Sequence, residues 1–221
     1  MEAAQTGPGD RQPRREADVA TAPAEQTYVT APITANPAPL GLSGFALSTF
    51  ILSMFNGHLV NMAGLPVLFG ALLFYGGIAQ FLAGMWHFRI GDTFSATVFG
   101  SYGAFWMALW AFYVFYAKTI PEGDVLNHAI GLYLLVWAGF TALLFIVSLR
   151  TTGAVALTVL LLVVTELVLG LGNNAGSEST IKLGGYIGLA TAVAAWYTAF
   201  AILLESTFGR WILPVFPLSR I

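Results

Sequence analysis

The stretch Asn36-Pro37-Ala38-Pro39-Leu40-Gly41-Leu42 marks the point at which the composition of this chain changes. Asn36 is a favourable N-cap residue, and the two prolines fall in a first helical turn, where backbone N–H groups have no intrahelical partner. An apolar run follows as far as about Gly57. The stretch therefore predicts the start of a first membrane helix.

Residues 1–35 precede this start and mix arginines and acidic residues with prolines. They contain no apolar segment of the kind found in a signal peptide. A segment of this composition buries too little apolar surface to offset the entropy lost on ordering. We therefore expect a disordered tail in 1–35, a membrane domain in 36–210, and a second, short tail in 211–221.

The composition of the whole chain is that of an integral membrane protein. Of its 221 residues, 57% are hydrophobic and 9% are charged, whereas soluble domains carry about 25% charged residues. The net charge of −2 gives no basic surface for nucleic acid, and the absence of cysteine excludes disulfides and thiolate metal sites. Because the chain lacks a Ser–His–Asp grouping, an HExxH motif and a phosphate-binding glycine loop, we expect neither an enzyme nor a cofactor.

Six apolar runs approach the length of about 20 residues that a spanning helix needs. They are residues 40–57, 65–88, 96–118, 126–149, 153–171 and 183–205. The short breaks between them leave no room for a soluble domain. The sequence therefore predicts an all-α integral membrane protein with six transmembrane helices.

The distribution of basic residues predicts the orientation of these helices. An even number of helices places both termini on one side, and that side carries Arg89, Arg150, Arg210 and Arg220 besides the tail arginines. The other side carries Lys118 and Lys182. By the positive-inside rule both termini are cytoplasmic, and we expect a multi-pass protein of the plasma or inner membrane.

Small residues recur at the spacing that lets membrane helices approach closely. Two rows stand out: Gly184, Gly188 and Ala192, and Gly100, Ala104 and Ala108. The first interpretation is packing within one bundle, and the second is a contact between subunits.

Polar or aromatic side chains line up at helical spacing in five of the six runs. Run by run they are Phe45, Thr49, Ser53 and Asn56; Gly76, Gln80, Gly84 and His87; Tyr102, Trp106, Tyr113 and Tyr116; Thr158, Leu162 and Glu166; and Thr191, Ala195 and Thr198. Any single row has an ordinary explanation, such as hydroxyls bonded to their own helix or aromatic residues at the membrane interface. Five rows together favour a polar path through the bundle.

The chemistry of these rows indicates what such a path carries. No Lys or Arg lies deep in any run, so the available groups are hydroxyls, an amide and the positive edges of aromatic rings. These groups bind a small anion or a neutral polar molecule weakly, which suits conduction. Glu166 is a candidate for proton coupling; the alternative is a neutral or water-exposed residue of a vestibule.

Several motifs of this chain closely resemble the acetate uptake transporter family, the YaaH-like succinate–acetate permeases. They are residues 36–42 (NPAPLGL), 75–86 (YGGIAQFLAGMW), 92–94 (DTF) and 101–106 (SYGAFW). The resemblance implies six helices, a homohexamer with a pore within each protomer, and uptake of acetate and, in some members, succinate. Transport in the family is expected to be channel-like (an anion channel) or coupled to protons (symport).

The resemblance also implies which residues form the path. The narrowest point would consist of Phe45, Tyr102 and Leu162, with Ala195 tuning specificity. The other predicted path residues are Asn36, Thr49, Ser53, Asn56, Gln80, Trp106, Thr158, Thr191 and Tyr197.

Three residues depart from the family's pattern. His87 stands where a carboxylate is frequent, Asp92 where asparagine is usual, and Glu166 where an apolar or aromatic residue is expected. Glu166 lies one turn from Leu162, where an ionised carboxylate would repel acetate. It is therefore protonated, or it couples proton movement, or this protein prefers another solute.

A second hypothesis belongs to a different functional class. The protein would be a membrane sensor or scaffold that binds a carboxylate and signals through residues 1–35. Deleting that tail separates the two hypotheses, because a transporter would retain its flux and a sensor would lose its output.

Overall fold

A computed structural model describes residues 34–218 of the chain. The expectation of a disordered tail falls almost entirely outside these residues, as does Arg220 from the orientation argument. Six helices of the described part are long and apolar enough to cross a membrane. They are α1 (Ala38–Asn56), α2 (Met62–Ile90), α3 (Thr93–Thr119), α4 (Asp124–Ser148), α5 (Gly153–Asn174) and α6 (Glu178–Phe208). The predicted fold class and number of helices are confirmed.

The N-cap of α1 lies one residue later than predicted. Pro37 occupies the N-cap position, but the Asn36 side-chain oxygen accepts a hydrogen bond from the Ala38 backbone N–H at 2.9 Å. The Pro37 carbonyl accepts the Gly41 N–H at 3.2 Å. Asn36 therefore satisfies a free N–H group of the first turn from outside the helix.

Side-chain caps and left-handed glycines mark several other helix ends. Asp92 accepts the Ser95 N–H at 3.0 Å at the start of α3, and Thr152 accepts the Val155 N–H at 3.3 Å at the start of α5. Gly91 adopts φ +80 after α2, a conformation that is cheap only for glycine. These residues explain why such short breaks suffice between long helices.

Two of the six helices are not regular α-helices throughout. In α2, residues Ala71–Ala79 form a π-helix. In α3, a π-helical turn at Phe112–Tyr116 is followed by a 3₁₀ turn at Ala117–Thr119. A π-helical segment rotates the residues that follow it relative to a regular helix. The sequence pattern did not indicate these segments.

Close packing between helices occurs where the sequence supplies small residues. Gly84 of α2 lies against the Gly100 backbone of α3, and Gly188 of α6 lies against Ser53 and Thr165. Gly184 contacts Leu169 of α5. For these glycines the structure favours the interpretation of packing within one bundle, whereas Ala104 and Ala108 of the second row are exposed.

The chain after α6 folds back onto the start of α5. The Gly153 and Ala154 N–H groups donate to the carbonyls of Phe216, at 2.7 Å, and Val215, at 3.2 Å. Val215 is buried against Ala154 and Ala201. The part of the predicted C-terminal tail that the structure describes therefore satisfies the free N–H groups of a membrane helix, and both ends of the described chain lie at the same end of the bundle.

Candidate substrate path

A cavity of about 280 Å³, the first vestibule, opens at the end of the bundle that carries both described chain ends. It lies between the starts of α1, α3 and α5 and the ends of α2 and α6. Its polar lining includes Asn36, Gln80, His87, Asp92 and Thr158. It extends inward to residues near the middle of α1, α3 and α5.

A second cavity of about 530 Å³, the second vestibule, lies at the opposite end of the bundle. Its wall is mainly apolar and aromatic, and its polar residues include Asn56, Tyr133 and Asn173. None of the residues that line it also lines the first vestibule. Among the described residues, the two cavities are therefore separate.

The three predicted constriction residues meet at the inner limit of the first vestibule. Phe45, Tyr102 and Leu162 are buried, and all three line this cavity. The rings of Phe45 and Tyr102 pack edge to face with centroids 5.7 Å apart. The Tyr102 ring lies 5.8 Å from that of Phe105, which lines the second vestibule. An aromatic layer thus lies between the two vestibules.

The Tyr102 hydroxyl belongs to a hydrogen-bonded group of three side chains from three helices. We call this group the constriction cluster: Tyr102, Thr141 and Glu166. Tyr102 and Glu166 are 2% and 3% exposed, and Thr141 is fully buried. The Tyr102 hydroxyl donates to Glu166 Oε1 at 3.0 Å, and the Thr141 hydroxyl lies 2.6 Å from Glu166 Oε2. The Tyr102 and Thr141 hydroxyls also contact each other directly.

The geometry of the cluster accommodates a protonated carboxyl group. The Thr141 hydroxyl lies 2.8 Å from the Trp137 carbonyl as well as close to Glu166, and it has one hydrogen to donate. If Oε2 carries a proton and donates to Thr141, then Thr141 donates to Trp137 and Tyr102 donates to Oε1, so every hydroxyl has an acceptor. The salt bridges of the described residues do not include Glu166, and burying an unpaired charge is costly.

Thr141 is a site residue that the sequence analysis missed. It lies at helical spacing from Tyr133, Trp137 and Ser148 of α4, a row of polar and aromatic residues that could have identified it. Its position beside Glu166 depends on how α4 and α5 pack against each other.

Three predicted path residues carry buried polar atoms that have no hydrogen-bond partner among residues 34–218. These atoms are Thr49 Oγ1, Gln80 Oε1 and Trp106 Nε1. Gln80 lines the first vestibule, and the Trp106 ring lies 6.3 Å from that of Phe45. Because an unpaired buried polar atom costs free energy, Gln80 is suited to contact a passing polar solute, whereas Thr49 and Trp106 line neither vestibule.

Four other predicted path residues line neither vestibule. Ser53, Thr191 and Ala195 are buried, and the Thr191 hydroxyl bonds to that of Thr165 at 2.9 Å where α5 and α6 pack. Tyr197 is 36% exposed and donates to the Pro214 carbonyl at 2.8 Å. The structure thus places these residues in helix contacts or, for Tyr197, in the contact that holds the C-terminal segment. Helical spacing predicted which residues share a helix face, but it did not predict whether that face lines a vestibule or packs against another helix.

The two remaining departures from the family's pattern form a pair in the first vestibule. His87 is buried, and its Nδ1 lies 3.2 Å from Asp92 Oδ2. Its ring packs against Phe99 at 5.3 Å. One carboxylate oxygen of Asp92 therefore lies beside His87, without meeting hydrogen-bond geometry, and the other caps α3.

Comparison with known proteins identifies relatives of the chain across most of its length. The profile of the GPR1/FUN34/yaaH family matches residues 20–220. The chain is 37% identical to the succinate-acetate/proton symporter SatP of Escherichia coli over 182 residues, which covers 82% of this chain and 95% of that protein. It is 41% identical to the ammonia transport outward protein 2 of Saccharomyces cerevisiae over 172 residues, covering 76% of this chain and 61% of the yeast protein.

The fold is also that of a solved structure. The bacterial acetate channel SatP superposes with a TM-score of 0.77 at 35% identity, covering 83% of this chain and 99% of that one. Fungal relatives are longer, and the chain spans between 60% and 67% of their length. The resemblance seen in the sequence motifs is confirmed, and this six-helix, multi-pass membrane protein belongs to the GPR1/FUN34/yaaH family.

Proposed function

We propose that this protein transports acetate, and other short carboxylates such as succinate, across the membrane through a path within each protomer. The observation that carries the proposal is the pair of vestibules at opposite ends of the bundle, separated by the constriction at Phe45, Tyr102 and Leu162. The names of the bacterial relatives support the choice of solute. No enzymatic activity forms part of this proposal.

The residues of the path suit a solute that must leave as readily as it binds. Gln80 and Trp106 offer unpaired polar atoms near the constriction, and the rings of Phe45 and Tyr102 present edges and faces to the solute. Hydrogen bonds and ring edges of this kind hold a carboxylate weakly. A fixed Lys or Arg in the constriction would hold it more tightly and slow its release.

The orientation and assembly belong to the same proposal. Arg89, Arg150 and Arg210 lie at the end of the bundle with the first vestibule, and Lys118 and Lys182 lie at the other. We infer that the first vestibule faces the cytoplasm of a plasma or inner membrane. The homohexamer is the assembly that the sequence resemblance implies.

Uptake of labelled acetate by proteoliposomes tests the proposal. We expect acetate uptake well above the rate of protein-free vesicles, saturable and inhibited by unlabelled acetate, because the path offers a limited set of binding groups. The assay runs at alkaline pH, where little free acetic acid is present to cross the lipid. Ammonium belongs in the solute panel because of the name of the yeast relative.

An acetate rate equal to that of empty vesicles would contradict this transport function. The sensor hypothesis predicts that result for the parent protein, together with loss of a signalling output when residues 1–35 are deleted. A transporter should instead keep its acetate flux after the same deletion.

The role of Glu166 in proton coupling is a separate part of the proposal. If its carboxyl exchanges a proton during each transport cycle, Glu166→Gln removes the component of acetate uptake that an inward proton gradient drives, because an amide does not titrate. Uptake measured over a series of external pH values gives the profile. Glu205→Gln is the matched control, since Glu205 lies near the end of α6 and lines neither vestibule. An unchanged profile in Glu166→Gln would exclude coupling through this residue.

A further inference from the structure

We propose that Thr141 and Glu166 hold the Tyr102 hydroxyl and thereby keep the constriction closed, and that a carboxylate solute opens it by replacing Glu166 as the acceptor for that hydroxyl. This inference rests on the proposed transport function. It assigns a role to Thr141 and makes both residues positioning residues for Tyr102.

Tyr102 belongs both to the lining of the first vestibule and to the constriction cluster. Its ring lines the first vestibule and packs against Phe45 at 5.7 Å. Its hydroxyl, in contrast, is bonded to Glu166 of α5 and contacts Thr141 of α4. Any displacement of the ring that widens the passage therefore has to break the hydrogen bond to α5 and the contact with α4.

The contacts of the Tyr102 hydroxyl fix the position of this side chain more firmly than the contacts of its ring do. Trp137 lies 5.4 Å and Phe105 5.8 Å from the Tyr102 ring. These contacts are apolar and tolerate sliding, whereas a hydrogen bond weakens steeply with distance and angle. The closed position of Tyr102 is thus held mainly by the acceptor oxygens of the constriction cluster.

A solute carboxylate presents an acceptor oxygen for the Tyr102 hydroxyl, as Glu166 Oε1 does. Tyr102 has a single hydrogen to donate, so it bonds either to Glu166 Oε1 or to a carboxylate that has reached the constriction from the first vestibule. The Thr141 hydroxyl lies 2.6 Å from Glu166 Oε2, so Glu166 has a second partner that the exchange does not use. One hydrogen bond to a carboxyl oxygen is lost and one to a carboxylate oxygen is formed, so the exchange leaves the number of hydrogen bonds of Tyr102 unchanged.

The position of Glu166 on its helix links this exchange to the narrowest point. Glu166 lies one turn from Leu162 on α5, and Leu162 lines the first vestibule beside Tyr102. The residue that holds the Tyr102 hydroxyl is therefore on the same helix face as the third residue of the constriction.

Paired substitutions that remove or retain the hydrogen bonds test the inference. Glu166→Leu and Thr141→Val abolish bonds to Tyr102 or Glu166 at similar volume, and Glu166→Gln and Thr141→Ser retain them. We expect the first pair to raise acetate flux by about two- to tenfold, the population change that one net hydrogen bond supports. The second pair should stay near the parent rate. All rates are measured at one pH without a proton gradient, so that coupling does not contribute.

Tyr102→Phe provides the decisive comparison. It removes the hydroxyl and keeps the ring, so Glu166→Leu added to Tyr102→Phe should produce no further change in flux. Equal effects of Glu166→Leu with and without Tyr102→Phe would overturn the inference, and so would a Glu166→Gln variant that behaves as Glu166→Leu does.

Separate controls are used for the folding of the variants and for the transport function. Thr165→Val is the matched control, because Thr165 is a buried α5 threonine bonded to Thr191 of α6 and lines neither vestibule. If Glu166→Leu does not yield folded protein, the Thr141→Val and Thr141→Ser pair carries the test. Absence of acetate flux in the parent contradicts the transport function, whereas parent flux without the expected difference between the paired variants contradicts only this inference.

Discussion

Gly84→Ala is expected to lower the melting temperature of the protein sharply, although alanine is the better helix former. A Cβ atom at Gly84 would lie 2.5 Å from the Gly100 backbone nitrogen and 3.0 Å from its Cα. These are backbone atoms, so relief requires α2 and α3 to separate. Overpacking of this kind costs about 1–3 kcal/mol, more than the ~0.5–1 kcal/mol that alanine gains over glycine within a helix.

Gly139→Ala is the matched control for this prediction. Gly139 is also a helical glycine, in α4, but nothing lies within 4 Å of an added Cβ. The Gly139→Ala variant should melt at or slightly above the melting temperature of the parent, as measured by the circular dichroism of detergent-solubilised protein. If the Gly84 and Gly139 variants melt together, α2 and α3 are not in backbone contact at this point.

Leu162→Ala is expected to shift the preference of transport from acetate toward bulkier carboxylic acids. Leu162 is buried at the inner limit of the first vestibule beside Phe45 and Tyr102, so truncation widens the narrowest point without touching the constriction cluster. One methylene group in a tight pocket discriminates between solutes by about tenfold or more. The ratio of propionate to acetate uptake should therefore rise by about that factor.

Leu157→Ala separates widening of the path from general loosening of α5. Leu157 is on the same helix, is 51% exposed, and lines neither vestibule. It should leave the ranking of solutes unchanged in the same proteoliposome assay. An identical ranking for Leu162→Ala and the parent would show that Leu162 does not limit the width of the path.

The constriction cluster shows which site residues the helical spacing predicted and which it did not. Tyr102 and Glu166 were found because each lies on a row of residues at helical spacing. Thr141 shares a face of α4 with Tyr133, Trp137 and Ser148, but only the packing of α4 against α5 brings its hydroxyl to Glu166. The opposite error occurred at Tyr197, which shares a helix with predicted path residues but bonds to Pro214 outside both vestibules.

The sequence by itself determined the number of membrane helices, their approximate ends and the family. Helix length and hydropathy are local properties, because each backbone hydrogen bond in a spanning helix is made within the same segment. Tertiary structure alone decided which helix faces meet the vestibules, where the π-helical segment of α2 lies, and how residues 211–218 pack on α5. These depend on the rotation of each helix about its axis and on contacts between residues far apart in the chain, which no local pattern encodes.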